Sequence, residues 1–507
     1  MKLSRRKFLA YSSVTALSWP TRHLFAAPST AVTRTPSGIL RGESIDGVRI
    51  FRGVPFAEPP VGDLRFKPPV KVRPWNDERA ATSFAAAAMQ PDRPHTPVSE
   101  DCLYLNIWTP EGKGPFPVYV WIHGGGFTLG SSFDPLQDGA KFAREGIVCV
   151  TLAYRLGVFG FLDLEPLLGS AYAGSANNAL RDLIAALEWI KDNIESFGGD
   201  PSRVTIGGQS AGAKLTDILM GAPSAQPLFQ QMISESGGAE RIWPQASSAN
   251  VAKGFGEAWR GRTGANASGL LTAPAKDLIA VQKEFTEQWP QHFPLRAAID
   301  PTLIPKLPVE TISEGSTRVK RLLIGTNRDE SAFFLGPHPE KEVAPANLGN
   351  LSLAKFSEVF EQYKKIYLQM PIEQLRIRAV TAEEYWIPSM RVVDAHLRGG
   401  GKAWMYRMDF SETSGRLKGE AYHSLDVWLT WNKPHPNAAN ASAEAMMAKQ
   451  MFSTWCAFIR GEAPAADGLP TWPEYRSDTR PTMIFDTNSR VEEKPQEAEL
   501  RLWDGVL

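Results

Sequence analysis

Residues 204–214 read VTIGGQSAGAK. The β-branched run Val204-Thr205-Ile206 predicts a short buried strand, 207–212 a tight turn, and 213–220 a helix. A serine on a sharp strand-to-helix bend explains a glycine two residues to either side. Gly208 and Gly212 leave room for neighbouring backbone, Ser210 Oγ is pushed into an open cleft, and the helix N-terminus behind it favours nearby negative charge. A lone G-x-S-x-G also arises by chance in structural turns. The strand before it and the helix after it favour a nucleophile.

The flanking segments extend this reading. Residues 118–122 form an apolar strand that runs directly into His123-Gly124-Gly125-Gly126-Phe127. A buried strand ending in three glycines exposes backbone N–H groups that no side chain covers, which is what charge developing on a carbonyl oxygen requires. The strand tail of 99–110 and the run 146–154 predict further strands. Residues 179–196 predict an amphipathic helix with Leu180, Leu183, Ile184, Leu187 and Ile190 on one face. Strand and helix alternate, so the expectation is an α/β chain with a parallel or mixed sheet covered on both faces. Residues 245–300 turn helical and polar, strands return at 319–325 and 403–408, and the stretches 337–350 and 434–442 read as surface loops.

Past the strand at 319–325, Asp329 and Glu330 fall at a C-terminal strand end, where open α/β sheets bind ligands. A later loop, 419–426, carries His423. Ser210, Glu330 and His423 thus follow the chain order serine, acid, histidine of α/β-hydrolases. A serine hydroxyl is a weak nucleophile until an imidazole takes its proton, and the imidazole needs an acid on its other nitrogen. Spacing alone leaves His123, His292, His338, His396 and His435 as rival bases, and Asp329 and Asp426 as rival acids.

Seven blocks, in order, resemble the type B carboxylesterase family, which includes cholinesterases and bacterial p-nitrobenzyl esterases: FRGVPFAEPPVGDLRF (51–66), SEDCLYLNIWTP (99–110), WIHGGGF (121–127), YRLGVFGF (154–161), FGGDPSRVTIGGQSAGA (197–213), GTNRDESAFF (325–334) and WPEYRSD (472–478). The resemblance spans about 32–503. It implies an α/β-hydrolase fold: a large, mostly parallel central sheet with helices on both faces and helical excursions around the cleft, placed at roughly 245–315 and 340–400 of one catalytic domain spanning 28–507. It further implies Ser210 as nucleophile, Glu330 as acid, His423 as base, and the N–H groups of Gly125, Gly126 and Ala211 as oxyanion donors. Arg65 with Glu100 and Arg155 with Asp182 become structural ion pairs. Three departures stand out. Gln209 occupies a position that is commonly glutamate, Cys102 has no disulfide partner near residues 88–90, and Asp426 stands where glutamate is more frequent. The expected activity is ester hydrolysis through an acyl-enzyme, with no cofactor or metal. A catalytically silent binding protein on the same fold is the rival reading, and a lipase or amide hydrolase would use the same three residues. Trp428, Trp431 and Phe127 are candidates for a pocket wall, with core packing the expected role of each.

Fifty-five basic residues balance 55 acidic ones, and no basic run follows residue 30, which argues against a nucleic-acid partner. The first 27 residues differ: Lys2, Arg5, Arg6, Lys7 and Arg22 occur with no acid, ahead of an apolar stretch at 8–19 and small residues at Ala26 and Ala27. SRRKFL (4–9) resembles a twin-arginine export signal, so a soluble periplasmic or secreted protein is expected, cleaved after Ala26 or Ala27. That apolar run falls well short of the ~20 residues of a spanning helix, and no lipid-anchor cysteine lies nearby. Three cysteines, Cys102, Cys149 and Cys456, are too few and too odd for a disulfide framework.

Overall fold

The strand that carries Ser210 is the axis of the sheet. In this computed structural model, which describes residues 29–91, 96–434 and 439–507, it runs from Gly199–Gln209 and is flanked by parallel partners on both sides. Numbered along the chain, the strands are β1 (Ser29–Thr35), β2 (Gly38–Ile45), β3 (Val48–Pro55), β4 (Glu78–Ala80), β5 (Ala87–Ala88), β6 (Val98–Ser99), β7 (Tyr104–Pro110) and β8 (Phe116–Ile122). They continue with β9 (Val148–Leu152), β10 (Gly199–Gln209), β11 (Gln231–Glu235), β12 (Arg321–Asn327), β13 (Lys402–Met408), β14 (Thr482–Phe485) and β15 (Arg490–Glu492). Among the described residues the main sheet has the order β1-β2-β3-β7-β9-β8-β10-β11-β12-β13-β14-β15, with β4 beside β2. Strands β9 through β14 form a parallel centre, and antiparallel strands close both ends.

Alternation along each central strand sends side chains into two cores. Val118, Val120 and Ile122 of β8 join the core of one face, together with Leu180 and Leu187 of the helix Asn178–Asn193 and Leu215 of the helix Ala211–Met220. Tyr119 and Trp121 of the same strand join the other, with Phe142 and with Phe452 and Trp455 of the helix Ala441–Ile459. With both faces covered, the strands read as continuous apolar runs. The region 245–315 holds the helices Gln245–Thr263 and Ala275–Gln288. The region 340–400 holds Leu353–Ile366, Ile372–Thr381 and Ile387–Arg398. Residues 1–27 lie outside the described part. None of the described helices is long and apolar enough to cross a membrane.

Three boundaries differ from the sequence reading, each for a reason of pairing. Gly207, Gly208 and Gln209 belong to β10 rather than to a turn, because they pair with Trp121 and Ile122 on one side and with Ile233, Ser234 and Glu235 on the other. Ladder bonds on both edges outweigh the low strand propensity of glycine. The bend therefore contracts to the single residue Ser210, and the helix starts at Ala211 rather than 213. The strand expected at 319–325 starts at Arg321, where pairing with Gln231 and Lys402 begins, and Val319 is left 91% exposed.

Both expected ion pairs form. Arg65 grips Glu100 through two nitrogens, at 2.7 and 2.5 Å. Arg155, after β9, gives Asp182 its Nε at 2.8 Å, its Nη2 at 2.7 Å and its backbone N–H at 3.0 Å. Arg155 and Asp182 are both buried, so losing one partner strands a charge in low dielectric. Asp182→Ala is predicted to lower the free energy of unfolding by about 3–5 kcal/mol, read from urea denaturation. A loss below about 1 kcal/mol, the worth of an exposed pair, would refute the structural role.

Candidate active site

Close approach of backbone to backbone builds the site before any side chain enters. A Cβ on Gly208 would lie 2.5 Å from Ile122 O, and one on Gly212 2.0 Å from the same oxygen. The glycine loop after β8 approaches just as closely, since a Cβ on Gly124 would stand 2.7 Å from Gln209 O and 3.2 Å from Ser210 Cβ. Ser210 itself has φ 57° and ψ −124°, a conformation that L-residues avoid and that persists only when the surroundings impose it. Its N–H is tied to Glu235 O at 2.9 Å.

Beside this bend, Gly125 (φ 116°) and Gly126 (φ 60°) turn the loop, and Gln90 braces it through Gly130 with bonds of 2.7 and 3.0 Å. Among the described residues, the N–H groups of Gly125, Gly126 and Ala211 donate to no protein acceptor. His123 lies beneath the same loop, its ring stacked on Tyr154 at 4.5 Å and its Nδ1 2.9 Å from Gly124 O.

Glu330 and His423, the candidate acid and base, meet here. His423 Nδ1 lies 2.5 Å from Glu330 Oε2, and both residues are buried. The other carboxylate oxygen accepts from Ser236 Oγ at 2.5 Å and from Asn327 N at 2.8 Å, which fixes its rotamer. The competing acids are engaged elsewhere: Asp329 accepts from Arg328 and Ala421, and Asp426 from Tyr406 Oη at 3.0 Å and Asn327 at 3.2 Å. Burial first, then the neighbouring Glu330 charge, pushes the Asp426 carboxyl up to about 6. Of the competing bases, His396 is buried between Thr317 and Lys402 O and pushed down to about 4 by that burial, and His338 is exposed. His292 stacks on Phe293, and His435 lies outside the described residues.

The Nε2 edge of His423 meets Gln209 Nε2 at 3.2 Å, and among the described residues Ser210 Oγ has no hydrogen-bond partner. The sequence marks Gln209 as a departure from the more common glutamate but gives no sign of this contact.

Two of the aromatic candidates, Trp431 and Phe127, take the core role expected of each. Trp431 packs edge-on to Trp121 at 5.3 Å in the core, and Phe127 is buried against Phe161. The rings around the imidazole are instead Phe334 at 5.3 Å, Phe333 at 6.3 Å and Tyr385 at 4.7 Å. Phe333 and Phe334 end the block GTNRDESAFF and were available as a signal. Tyr385 was not, because it arrives from a helix far along the chain. Cys102, Cys149 and Cys456 are all buried free thiols.

A profile of the carboxylesterase family matches residues 29–503. The chain belongs to that family. It is 33% identical over 483 residues to the para-nitrobenzyl esterase of Bacillus subtilis, covering 92% of this chain and 96% of that protein. It is 31% identical over 470 residues to the fumonisin B1 esterase of Sphingopyxis macrogoltabida, covering 88% and 84%. A solved PNB esterase superposes with a TM-score of 0.82 at 32% identity, covering 93% of this chain and 99% of that one. The α/β-hydrolase fold and carboxylic ester hydrolysis follow for this carboxylesterase.

The contact between Gln209 and His423 predicts a pH effect with a definite sign. A carboxylate in place of the Gln209 amide stabilises the imidazolium and so holds the proton on the base to higher pH. Gln209→Glu should move the acid limb of kcat/KM upward, read from a pH series on a neutral ester. An unmoved limb contradicts the reading.

Proposed function

We propose that Ser210 is the nucleophile, His423 the general base and acid, Glu330 the orienting carboxylate, and Gly125, Gly126 and Ala211 the oxyanion donors of this carboxylesterase. The observation that carries the reading is the buried Glu330–His423 bond standing beside the bend that presents Ser210. Glu330 holds the tautomer in which Nδ1 carries hydrogen and Nε2 offers its lone pair. Gln209 occupies that lone pair at rest. Substrate binding displaces the amide, and rotation of Ser210 brings Oγ into its place; such bonds commonly tighten only in the substrate complex.

Ser210 Oγ then attacks the ester carbonyl carbon while its proton passes to His423 Nε2. The new oxyanion lies against the three free N–H groups, where fixed dipoles outperform water because they need no reorganisation. The imidazolium returns its proton to the departing alkoxide, leaving an acyl-enzyme. Water repeats the sequence: its proton goes to His423, its oxygen to the acyl carbon, and Ser210 regains its hydrogen.

A neutral Gln209 beside the imidazole favours neutral small-molecule esters over cationic ones, and the relatives' names make p-nitrobenzyl esters sensible first probes. Export through a twin-arginine signal at 1–27, with a soluble protein reaching the periplasm, is supported by Arg5-Arg6 ahead of an apolar stretch and by thiols that need no oxidation to fold.

The test is Ser210→Ala assayed beside the parent on p-nitrophenyl esters of increasing acyl length. Loss of about 10⁴-fold or more in kcat is expected, with the parent's chain-length profile sizing the pocket. A Ser210→Ala enzyme as active as the parent ends the assignment.

A further inference from the structure

Lys214 is a buried cation on the helix that follows Ser210. It sits in the first turns of Ala211–Met220, where a positive charge opposes the helix dipole, and burial pushes its ammonium down to about 8. Two unfavourable placements in one side chain call for a compensating interaction. Lys214 Nζ donates to Gly237 O at 2.8 Å and to Glu384 O at 3.0 Å.

The second acceptor explains the first residue. In an α-helix the carbonyl of Glu384 would take its hydrogen from the N–H of residue 388, and residue 388 is proline. The helical run widens into a π-turn over Ala382–Trp386, immediately ahead of the helix Ile387–Arg398 that carries Pro388. Lys214 supplies the donor that Pro388 lacks. Pro388 also abuts Gly238, where a Cβ would come within 2.3 Å of the proline Cβ, so the loop after β11 joins the same knot. The residue after Glu384 is Tyr385. Its ring contacts both Lys214 Nζ, 4.7 Å from its centroid, and the His423 ring, 4.7 Å away at 34°.

We propose that Lys214 is a positioning residue of the esterase reaction: its ammonium replaces the backbone donor missing at Pro388 and thereby fixes Tyr385 against the catalytic imidazole. This rests on His423 being the base. Two consequences are separable. The hydrogen bond sets where Tyr385, and so His423, stands. The charge sits against the same ring that packs on His423 and disfavours a second cation there. The charged groups facing Lys214 are Arg241, Glu384, Asp217 and Glu240; those facing His423 are Glu330 and Asp426.

Kinetics of Lys214→Met test it, with the parent and Ser210→Ala first establishing that the measured hydrolysis belongs to this site. Lys214→Met should lose about tenfold in kcat and show an acid limb of kcat/KM raised by about 0.5–1 pH unit. Adding Pro388→Ala restores an N–H under Glu384 O and should recover kcat while leaving the limb raised. Should Lys214→Met not fold, Lys214→Gln keeps a donor without the charge and must show the raised limb with kcat near the parent's. Parental kcat and an unmoved limb in Lys214→Met overturn the proposal. Failure of Pro388→Ala to recover kcat overturns the link through Glu384.

Discussion

A carboxylate and an imidazole 2.5 Å apart, both removed from water, are the interaction around which the rest is arranged. Glu330 brings a charge into a place where a bare carboxylate is costly, and three donors compensate: His423 Nδ1, Ser236 Oγ and the Asn327 N–H. Each donor comes from a different part of the chain, and two belong to ends of neighbouring parallel strands. The pair can exist only if β11 and β12 end at the same rim, which the ladder from Gln231↔Arg321 to Glu235↔Gly325 secures. Further acids lie below it, Asp426 held by Tyr406 and Glu235 by Trp455, and burial pushes both toward the neutral form. Glu330 is the carboxylate bonded to the imidazole, while Asp426 and Glu235 are held by other donors.

The sheet serves this pair by being rigid in the right places. Gly124, Gly208 and Gly212 let three backbone segments touch, so the bend at Ser210 has no freedom to relax into a gentler turn. Strain at Ser210 is thus held by packing on both sides, from the core beneath β8 and β10 and from the helix behind the serine. Arg155 and Asp182 anchor the chain after β9 to the long helix that covers this face. The resulting frame leaves the loops above free to shape a pocket without disturbing the reacting groups.

What could be read from residues alone follows from range. Gly208 and Gly212 announce a tight approach because the reason lies within a few residues and one neighbouring strand. Continuous apolar runs such as 118–122 announce a sheet buried on both faces for the same local reason. The pairing of Glu330 with His423 was legible through order and resemblance, not spacing, since Asp329 and Asp426 satisfy the same local pattern and only three-dimensional bonding removes them. Strand ends moved by a few residues wherever ladder pairing outweighed propensity, as at Gly207 to Gln209. Tyr385 and Lys214 escaped notice because their meaning depends on a proline 174 residues beyond the lysine. Trp431 keeps the core role expected of it despite its nearness in sequence to His423, following the helical turn at Leu425–Thr430.

Everything in this account requires that one hydroxyl be made nucleophilic by one imidazole. Covalent trapping with diethyl p-nitrophenyl phosphate measures that directly, because attack releases one p-nitrophenolate and leaves a diethylphosphoryl group on the attacking oxygen. The account predicts one equivalent released per chain, the added mass on the peptide containing Ser210, and trapping slowed by about 10³-fold or more in His423→Ala. An adduct on another residue, or trapping at the parental rate without the imidazole, would contradict it.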